Sequence, residues 1–496
     1  MEKQGKLELT WVGKYDEEKL EPRILIEDKD KSYGDADTEN MLIHGDNLIA
    51  LKALENEFAG EIKCIYIDPP YNTGNAFEYY DDGIEHSIWL SMMKQRLELL
   101  KNLLRDDGFI FVQIDNYEMP YLKVLMDEIF GRNNFVNDII WKRKGGSVNP
   151  SNKLNNMTDY ILWYAKSPLA EIYPVYTIDD EETQNYINKR FNKTDENGRR
   201  YRLSPIISPT YSKSLVYEYK GYKSPPNGWS LSLEKMKQFE AEGRLYFPEN
   251  KNQRIQRKQF LDEYKGRPIG NLWTDINVIN PMSAERLNFV GQKPEMLIAR
   301  VLELSTKEGD LVLDSFLGTG TTMDVAHKMN RKWIGIEMGE QCYEFCQKRI
   351  NNTIDGVQTG IAEKYNWKGG GGYKFYELAE PLLVRNTNLP IYQINPSYSW
   401  NMVCEAICKI EGFKYALIGD FQGYSSENRF IHITEEYVNS KYIISITKNL
   451  GDNQSLLIYC KKNQADMNLP ENVEVRKIPK DLVKKCNFEH ESEVQE

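Results

Sequence analysis

Apolar residues recur along this chain in two rhythms, and each change of rhythm marks an element. Met41–His44 and Ile62–Ile67 are short apolar runs of strand length, and Leu48–Glu57 between them has the spacing of a short helix. From His86 to Arg105 the apolar positions Ile88, Leu90, Met93, Leu97, Leu100 and Leu104 predict one helix with a single buried face. Gly108–Ile114 predicts the next strand. Pro120–Phe130 predicts a helix that accepts proline in its first turn, and Ile139–Trp141 with Tyr160–Tyr164 a last strand pair. Strand and helix in alternation predict a parallel sheet covered on both faces. Residues 291–352 resume the pattern as helix, strand, glycine loop, helix, strand, helix, so the two stretches read as halves of one doubly wound α/β sheet. The expected spans are an N-terminal arm (1–38), a first half (39–168), an insertion (169–275), a second half (276–376) and a C-terminal α/β domain (377–496). In that last domain, apolar runs such as Tyr442–Ile446 and Leu456–Cys460 alternate with charged turns. Residues 74–85 are polar, glycine-containing and aromatic at Phe77, Tyr79 and Tyr80, and read as a lid.

Composition narrows the class. A chain of 496 residues, 41% hydrophobic, packs two or three domains. Its net charge of −11 excludes a general basic coat, so a nucleic-acid partner has to be held by a local basic face. Seven scattered cysteines argue against a disulfide framework. Cys342/Cys346 and Cys404/Cys408 sit four apart on expected helices; with no histidine or second cysteine pair beside them they read as buried thiols, and no metal is expected. No apolar leader follows Met1 and no apolar run approaches membrane-spanning length, so a soluble, cytoplasmic chain with no membrane partner is expected.

The insertion is where basic and aromatic residues mix. Lys189-Arg190-Phe191-Asn192-Lys193 and Arg199-Arg200-Tyr201-Arg202 are followed by Tyr217, Tyr219, Tyr222, Lys223 and Trp229, then Arg254, Arg257 and Lys258. Lysine and arginine fix phosphates, arginine reads base edges, and aromatic rings stack; an ordinary solvated face is the competing reading. A second basic cluster, Trp141-Lys142-Arg143-Lys144, leaves a sheet strand and is expected either to hold phosphates or to serve as a connector.

Two motifs carry the chemistry. Asp68-Pro69-Pro70-Tyr71 ends the apolar run Cys64–Ile67. An acid, two rigid prolines and a ring at a strand's carboxyl end can grip a planar base and its exocyclic amine together. A tight turn after a buried strand is the plainer alternative. The other motif is Leu311-Val312-Leu313-Asp314-Ser315-Phe316-Leu317-Gly318-Thr319-Gly320-Thr321-Thr322, a strand, glycine turn and helix start. The next strand, Lys332–Glu337, ends in an acid placed to accept from ribose hydroxyls. There is no third glycine for a pyrophosphate and no G-K-[ST] loop, so a nucleoside without phosphates fits better than NAD or ATP.

Together these motifs resemble the amino-directed DNA methyltransferases that use S-adenosyl-L-methionine. Met41–Leu48 resembles the strand-plus-acid element, Ile65–Gly74 the catalytic motif in its adenine form, Gln292-Lys293-Pro294-Glu295 the start of the cofactor-flanking helix, and Asp314–Thr322 the methionine-binding loop. The catalytic motif precedes the cofactor loop, an order resembling the permuted β-group. The stretch Gly369–Phe375 and the chain's length look most like the modification subunit of a type III restriction-modification system. The resemblance implies a Rossmann-like methyltransferase sheet with an inserted target-recognition domain, acting on adenine N6 of a flipped base in double-stranded DNA. It implies Asp68, Pro69, Pro70 and Tyr71 as catalytic. Asp46, Asn47, Lys293, Asp314, Phe316, Gly318, Gly320, Thr321 and Glu337 would bind the cofactor. Asn72, Lys142, Arg143, Lys144, Arg199, Arg200, Arg202, Arg254, Arg257 and Lys258 would contact DNA. Local capping of a helix by Asp46 stays open as its alternative. Implied partners are a second copy of the chain and a separate helicase-nuclease restriction subunit, with a stand-alone enzyme as the alternative. An N4-cytosine methyltransferase, which usually has serine at Asp68, an RNA methyltransferase and a catalytically silent DNA-binding subunit are the rival functions.

Overall fold

Ten strands build the central sheet: β1 (Leu25–Gly34), β2 (Met41–His44), β3 (Ile62–Ile67), β4 (Leu104–Ile114), β5 (Phe135–Lys142), β6 (Thr158–Ala165), β7 (Leu272–Trp273), β8 (Leu311–Asp314), β9 (Lys332–Glu337) and β10 (Gly372–Leu378). Their spatial order is β1-β10-β2-β9-β8-β3-β4-β6-β5-β7. The structure is a computed structural model describing residues 8–16, 19–72, 85–143, 154–178, 180–289, 291–425, 428–451 and 453–488; of the expected lid only Glu85 is among them, and Lys144 is not.

From β10 to β4 the strands run parallel. Antiparallel pairing is confined to β1 on β10 and to β6 between β4 and β5. The central strand β3 is buried at every position, as a strand covered on both faces has to be. It pairs directly with β8, Cys64 opposite Val312 and Ile65 opposite Leu313. The catalytic motif and the glycine loop, far apart in sequence, therefore leave adjacent strands at the same carboxyl edge.

Helix α1 (Asn47–Phe58), α2 (His86–Leu103) and α3 (Met119–Met126) come after the first strands. On α2 the buried face is Trp89, Leu90, Met93, Leu97, Leu100 and Leu103. Ile88, expected on that face, is 55% exposed, and Trp89 fills the core position instead. Each such side chain contributes about 1.5–3 kcal/mol on burial. The helix also stops at Leu103, because Leu104 already begins β4. In the second half α4 (Glu295–Ser305), α5 (Thr321–Lys328) and α6 (Lys348–Ile354) complete the layers.

The segment expected as an arm contributes an edge strand: β1 lies antiparallel on β10 with most of its side chains exposed. Its run of Asp and Lys hides a strand from a reading based on apolar alternation, and charged residues suit an edge.

The chain divides into two compact units, residues 1–173 with 271–496, and Pro174–Gly270. The second unit is tighter than the expected insertion at both ends, since Leu272–Trp273 already pairs with β5. It holds a four-stranded sheet in the order Leu245–Tyr246, Gln256–Phe260, Arg200–Pro205, Lys193–Thr194, with a core around Tyr219, Tyr222, Trp229 and Met236. The C-terminal region has its own five-stranded sheet, with Arg429–Val438, Ser455–Asn463 and Val473–Lys477 parallel. It belongs to the first unit: Lys409 on α7 (Trp400–Ile410) reaches Glu57 of α1 at 2.9 Å. Among the described residues no helix is long and apolar enough to cross a membrane.

Candidate active site

Asp68 emerges directly from the buried end of β3. Its Oδ2 takes an ion pair from Lys293 Nζ, while Oδ1 is buried and makes no hydrogen bond among the described residues. The same ammonium lies 5.3 Å from the centroid of the Tyr71 ring. The motif is pinned from behind: Trp89 Nε1 donates to the Pro70 carbonyl at 2.9 Å. Asn72 adopts φ 55° and ties the end of the motif to Glu118 Oε1 at 2.8 Å, an acceptor shared with His86. Asn72 is thus engaged in holding the loop. The Tyr71 hydroxyl reaches Asp159 Oδ2 at 3.3 Å, and burial together with Asp68 and Asp159 drives its phenol pKa far up, so it stays protonated.

Beside it the glycine loop turns under β8. Asp314 accepts from Phe316 N at 2.9 Å and from the Thr322 hydroxyl at 2.6 Å, and burial pushes its carboxyl up to about 7. Gly318 (φ 57°) donates its N–H to Glu337 Oε2 at 2.7 Å. Gly320, at φ 78°, caps α5, and a Cβ there would collide with Met323 Cε. Only glycine takes that backbone freely. Phe316 packs on the core, and the Ser315 hydroxyl is buried without a partner among the described residues. Glu337 is the loop's tie: its Oε1 also accepts from Met338 N, Gly339 N and Gln341 Nε2 at 2.9–3.0 Å. Burial raises its pKa as well.

At the end of β2, Asp46 is the N-cap of α1, accepting from Leu48 N and Ile49 N at 2.9 and 3.1 Å. This is the local capping role left open by the sequence. Asn47 bridges the two halves, donating to the Ser315 carbonyl at 2.7 Å and accepting from Arg96 Nε at 2.5 Å. Arg96 was missed by motif reading, although a lone arginine between Met93 and Leu100 on a buried helical face is a signal. Lys293 stands two residues before a rigid anchor. Glu295 at the head of α4, Asp324 and Lys328 on α5 and Arg349 on α6 form a buried four-charge cluster with contacts of 2.8–3.0 Å. Gly360 (φ 55°) closes over it, so tightly that a Cβ would collide with the Glu295 carboxylate. Thr321 joins the cluster, accepting from Arg349 at 3.0 Å.

The expected DNA contacts fare unevenly. Arg143 faces Asp159, with Nε 3.4 Å from Oδ1, instead of projecting freely. Lys142, one residue earlier, is exposed. Within the second unit Arg199 is bound to Asp262 and Glu263 at 2.8–2.9 Å, Arg202 is on the Tyr186 hydroxyl, and Arg200 donates to the Phe191 carbonyl at 3.1 Å. Arg257 and Lys258 lie over the rings of Phe239 and Tyr201 at 5.0 and 5.2 Å. Arg254 is exposed.

The edge thus gathers Asp68, Asp159, Asp314 and Glu337, with Lys293 and Arg143 as the bases next to them. Desolvated acids therefore cluster beside the glycine turn, two of them facing these cations. A family model described as DNA methylase matches residues 62–348, and the chain belongs to that family. It is 36% identical over 410 residues to the probable type III restriction-modification enzyme HindVI Mod subunit of Haemophilus influenzae, covering 69% of this chain and 54% of that protein. It is 31% identical over 359 residues to the type III StyLTI Mod subunit of Salmonella typhimurium (64% and 54%). Against the type II methyltransferase M.EcaI of Enterobacter cloacae it is 32% identical over 352 residues (67% and 75%). The chain therefore spans about half the length of these two type III subunits.

Proposed function

We propose that this chain is a site-specific DNA methyltransferase, moving a methyl group from S-adenosyl-L-methionine to N6 of an adenine turned out of the duplex. The observation that carries the reading is Asp68: one oxygen is clamped by Lys293, whose ammonium also lies over the Tyr71 ring, and the other is buried without a hydrogen bond among the described residues. Adenine N6 is a weak nucleophile because its lone pair is shared with the ring. The donor supplies an already activated methyl, passed from sulfur to nitrogen as the S–C bond breaks. No covalent enzyme nucleophile is needed; the chain has to position and stabilise. Asp68 Oδ1 and the Pro69 carbonyl accept the two N6 hydrogens and stabilise the charge developing on nitrogen; once the N–C bond has formed, N6 loses one of those protons to solvent and is left as the neutral methylamine. Tyr71 stacks on the base, worth roughly 1–3 kcal/mol. Lys293 serves Asp68 by fixing the plane of its carboxylate.

For the donor, the residues present fit. Asp314, Phe316, Gly318, Gly320 and Thr321 line the methionine end, with the unpartnered Ser315 hydroxyl among them. Glu337, Asp46 and Asn47, at the neighbouring strand ends, flank the nucleoside end. The excess of buried acid favours a ligand carrying a sulfonium.

Double-stranded DNA is the substrate, with the unit Pro174–Gly270 as its reader through Arg254, Arg257 and Lys258. The enzyme acts in the cytoplasm, as a dimer, alongside a separate helicase-nuclease restriction subunit. Mapping modified bases across the host genome with and without this gene tests the reading. N6-methyladenine at one short recurring sequence, lost on deletion, is expected. N4-methylcytosine lost instead, or no lost mark at all, overturns it.

A further inference from the structure

Directly behind Tyr71 lies a buried polar chain that the proposed transfer does not use. Asp159, at the start of β6, is 0% exposed, and its Oδ2 accepts from the Tyr71 hydroxyl at 3.3 Å and from Gln113 Nε2 at 3.1 Å. Gln113, near the end of β4, is also 0% exposed, and its Oε1 accepts from the Tyr66 hydroxyl at 2.5 Å. Tyr66 is held neutral by burial, so its phenol donates. That fixes the amide: oxygen toward Tyr66, nitrogen toward Asp159. Arg143 supplies a counter-charge at 3.4 Å from the other side. Gln113 of β4 and Arg143, just past β5, thus meet on the Asp159 carboxylate, which in turn holds the Tyr71 phenol, while Tyr66 of β3 orients Gln113. A phenylalanine would stack on a base equally well, and a buried carboxylate is expensive to keep. The hydroxyl and its acid add something a bare ring lacks, namely a fixed ring plane.

We infer that Asp159, oriented by Gln113 and Arg143, is a positioning residue that locks the Tyr71 ring where a flipped base stacks. The inference rests on the adenine-transfer reading and gives Asp159 no contact with base or donor. It acts only through Tyr71.

The test compares Tyr71→Phe, Asp159→Leu, which removes the acceptor but keeps the branching at Cγ, and the double variant with the wild-type chain, on a duplex carrying its mapped recognition sequence. Methyl transfer is followed directly, and base stacking by the fluorescence of 2-aminopurine placed at the target position. Each single variant is expected to lower kcat about five-fold, the worth of one hydrogen bond, with KM for donor and duplex within about two-fold. Each is also expected to brighten the flipped 2-aminopurine, since an unanchored ring quenches it less. The double variant loses no more than either single one, because both cut the same bond. A full rate with wild-type quenching in Tyr71→Phe overturns the inference. So do losses that multiply to about 25-fold in the double variant, or an Asp159→Leu protein that melts lower but turns over normally. Tyr71→Phe preserves the ring's packing, so it decides alone if Asp159→Leu fails to fold. A wild-type chain that methylates no adenine contradicts the parent reading; an active wild type indifferent to Tyr71→Phe contradicts only this inference.

Discussion

The two oxygens of Asp68 have different surroundings, and the proposed chemistry depends on that asymmetry. Replacing Asp68 with alanine removes the acceptor for the reacting amine. Asp68→Ala is expected to cut methyl transfer at least 100-fold while donor affinity, measured by calorimetry, stays within about three-fold; near-normal turnover would remove Asp68 from the mechanism. Lys293→Met is expected to lower kcat about 10-fold or more, since hydrogen bonds to charged groups are worth about 1.5–3 kcal/mol, with little change in donor affinity. A selective loss of donor affinity would return Lys293 to the cofactor, as its place in the motif implies. The sequence makes Asp68 and Tyr71 legible because their neighbours in the chain are diagnostic. It does not make Asp159, Gln113 or Arg96 legible, because the contacts that give them meaning come from other strands and helices. Arg199 shows the same limit from the other side. It reads as a phosphate contact, but its partners Asp262 and Glu263 lie far downstream.

Among elements, the turn from β8 into α5 is the most demanding. Gly320→Ala places a side chain at φ 78° and against Met323, and is expected to cost about 1–3 kcal/mol in backbone strain, read as a lower Tm and weaker donor binding. Asp314 makes the same turn sensitive to pH. Its carboxyl is raised from 3.8 to about 7 by burial. The folded chain therefore keeps the proton through that window, and the stability it lends is full below about pH 4 and gone once pH passes about 7. A bound cation favours the ionised carboxylate. Donor binding is thus expected to release protons near neutral pH and to tighten from pH 6 to 8, more so than binding of the product S-adenosylhomocysteine, which lacks the sulfonium charge. Calorimetry in two buffers of different ionisation enthalpy measures this, and equal proton release for both ligands would contradict it. The order of strands, loop and helices here was readable from apolar rhythm. The edge strand β1 was not, since its side chains are mostly charged, and at the start of α2 Trp89, not Ile88, fills the core, while Leu90, Met93, Leu97 and Leu100 are buried as expected.

At the scale of the whole molecule, two stretches of chain interrupted by a separate compact unit close into one sheet, and the pairing of β3 with β8 brings acid, ring and glycine loop to one edge. The split was legible because both halves carry the same alternation. How the insertion would meet DNA, as proposed, was not, because most of its expected basic contacts are engaged within the unit. In a chain of net charge −11, duplex binding through the few basic side chains left is expected to weaken linearly in log–log plots against salt; a flat response in a binding titration would exclude phosphate contacts as the source of affinity. The most direct test of the central claim is transfer of labelled methyl from S-adenosyl-L-methionine to duplex DNA by the purified chain, with nucleoside analysis of the product and Asp68→Ala alongside. Label in N6-methyladenine for the wild type and none for the variant is the result this account predicts. Label in another base, or equal label from both proteins, would contradict it.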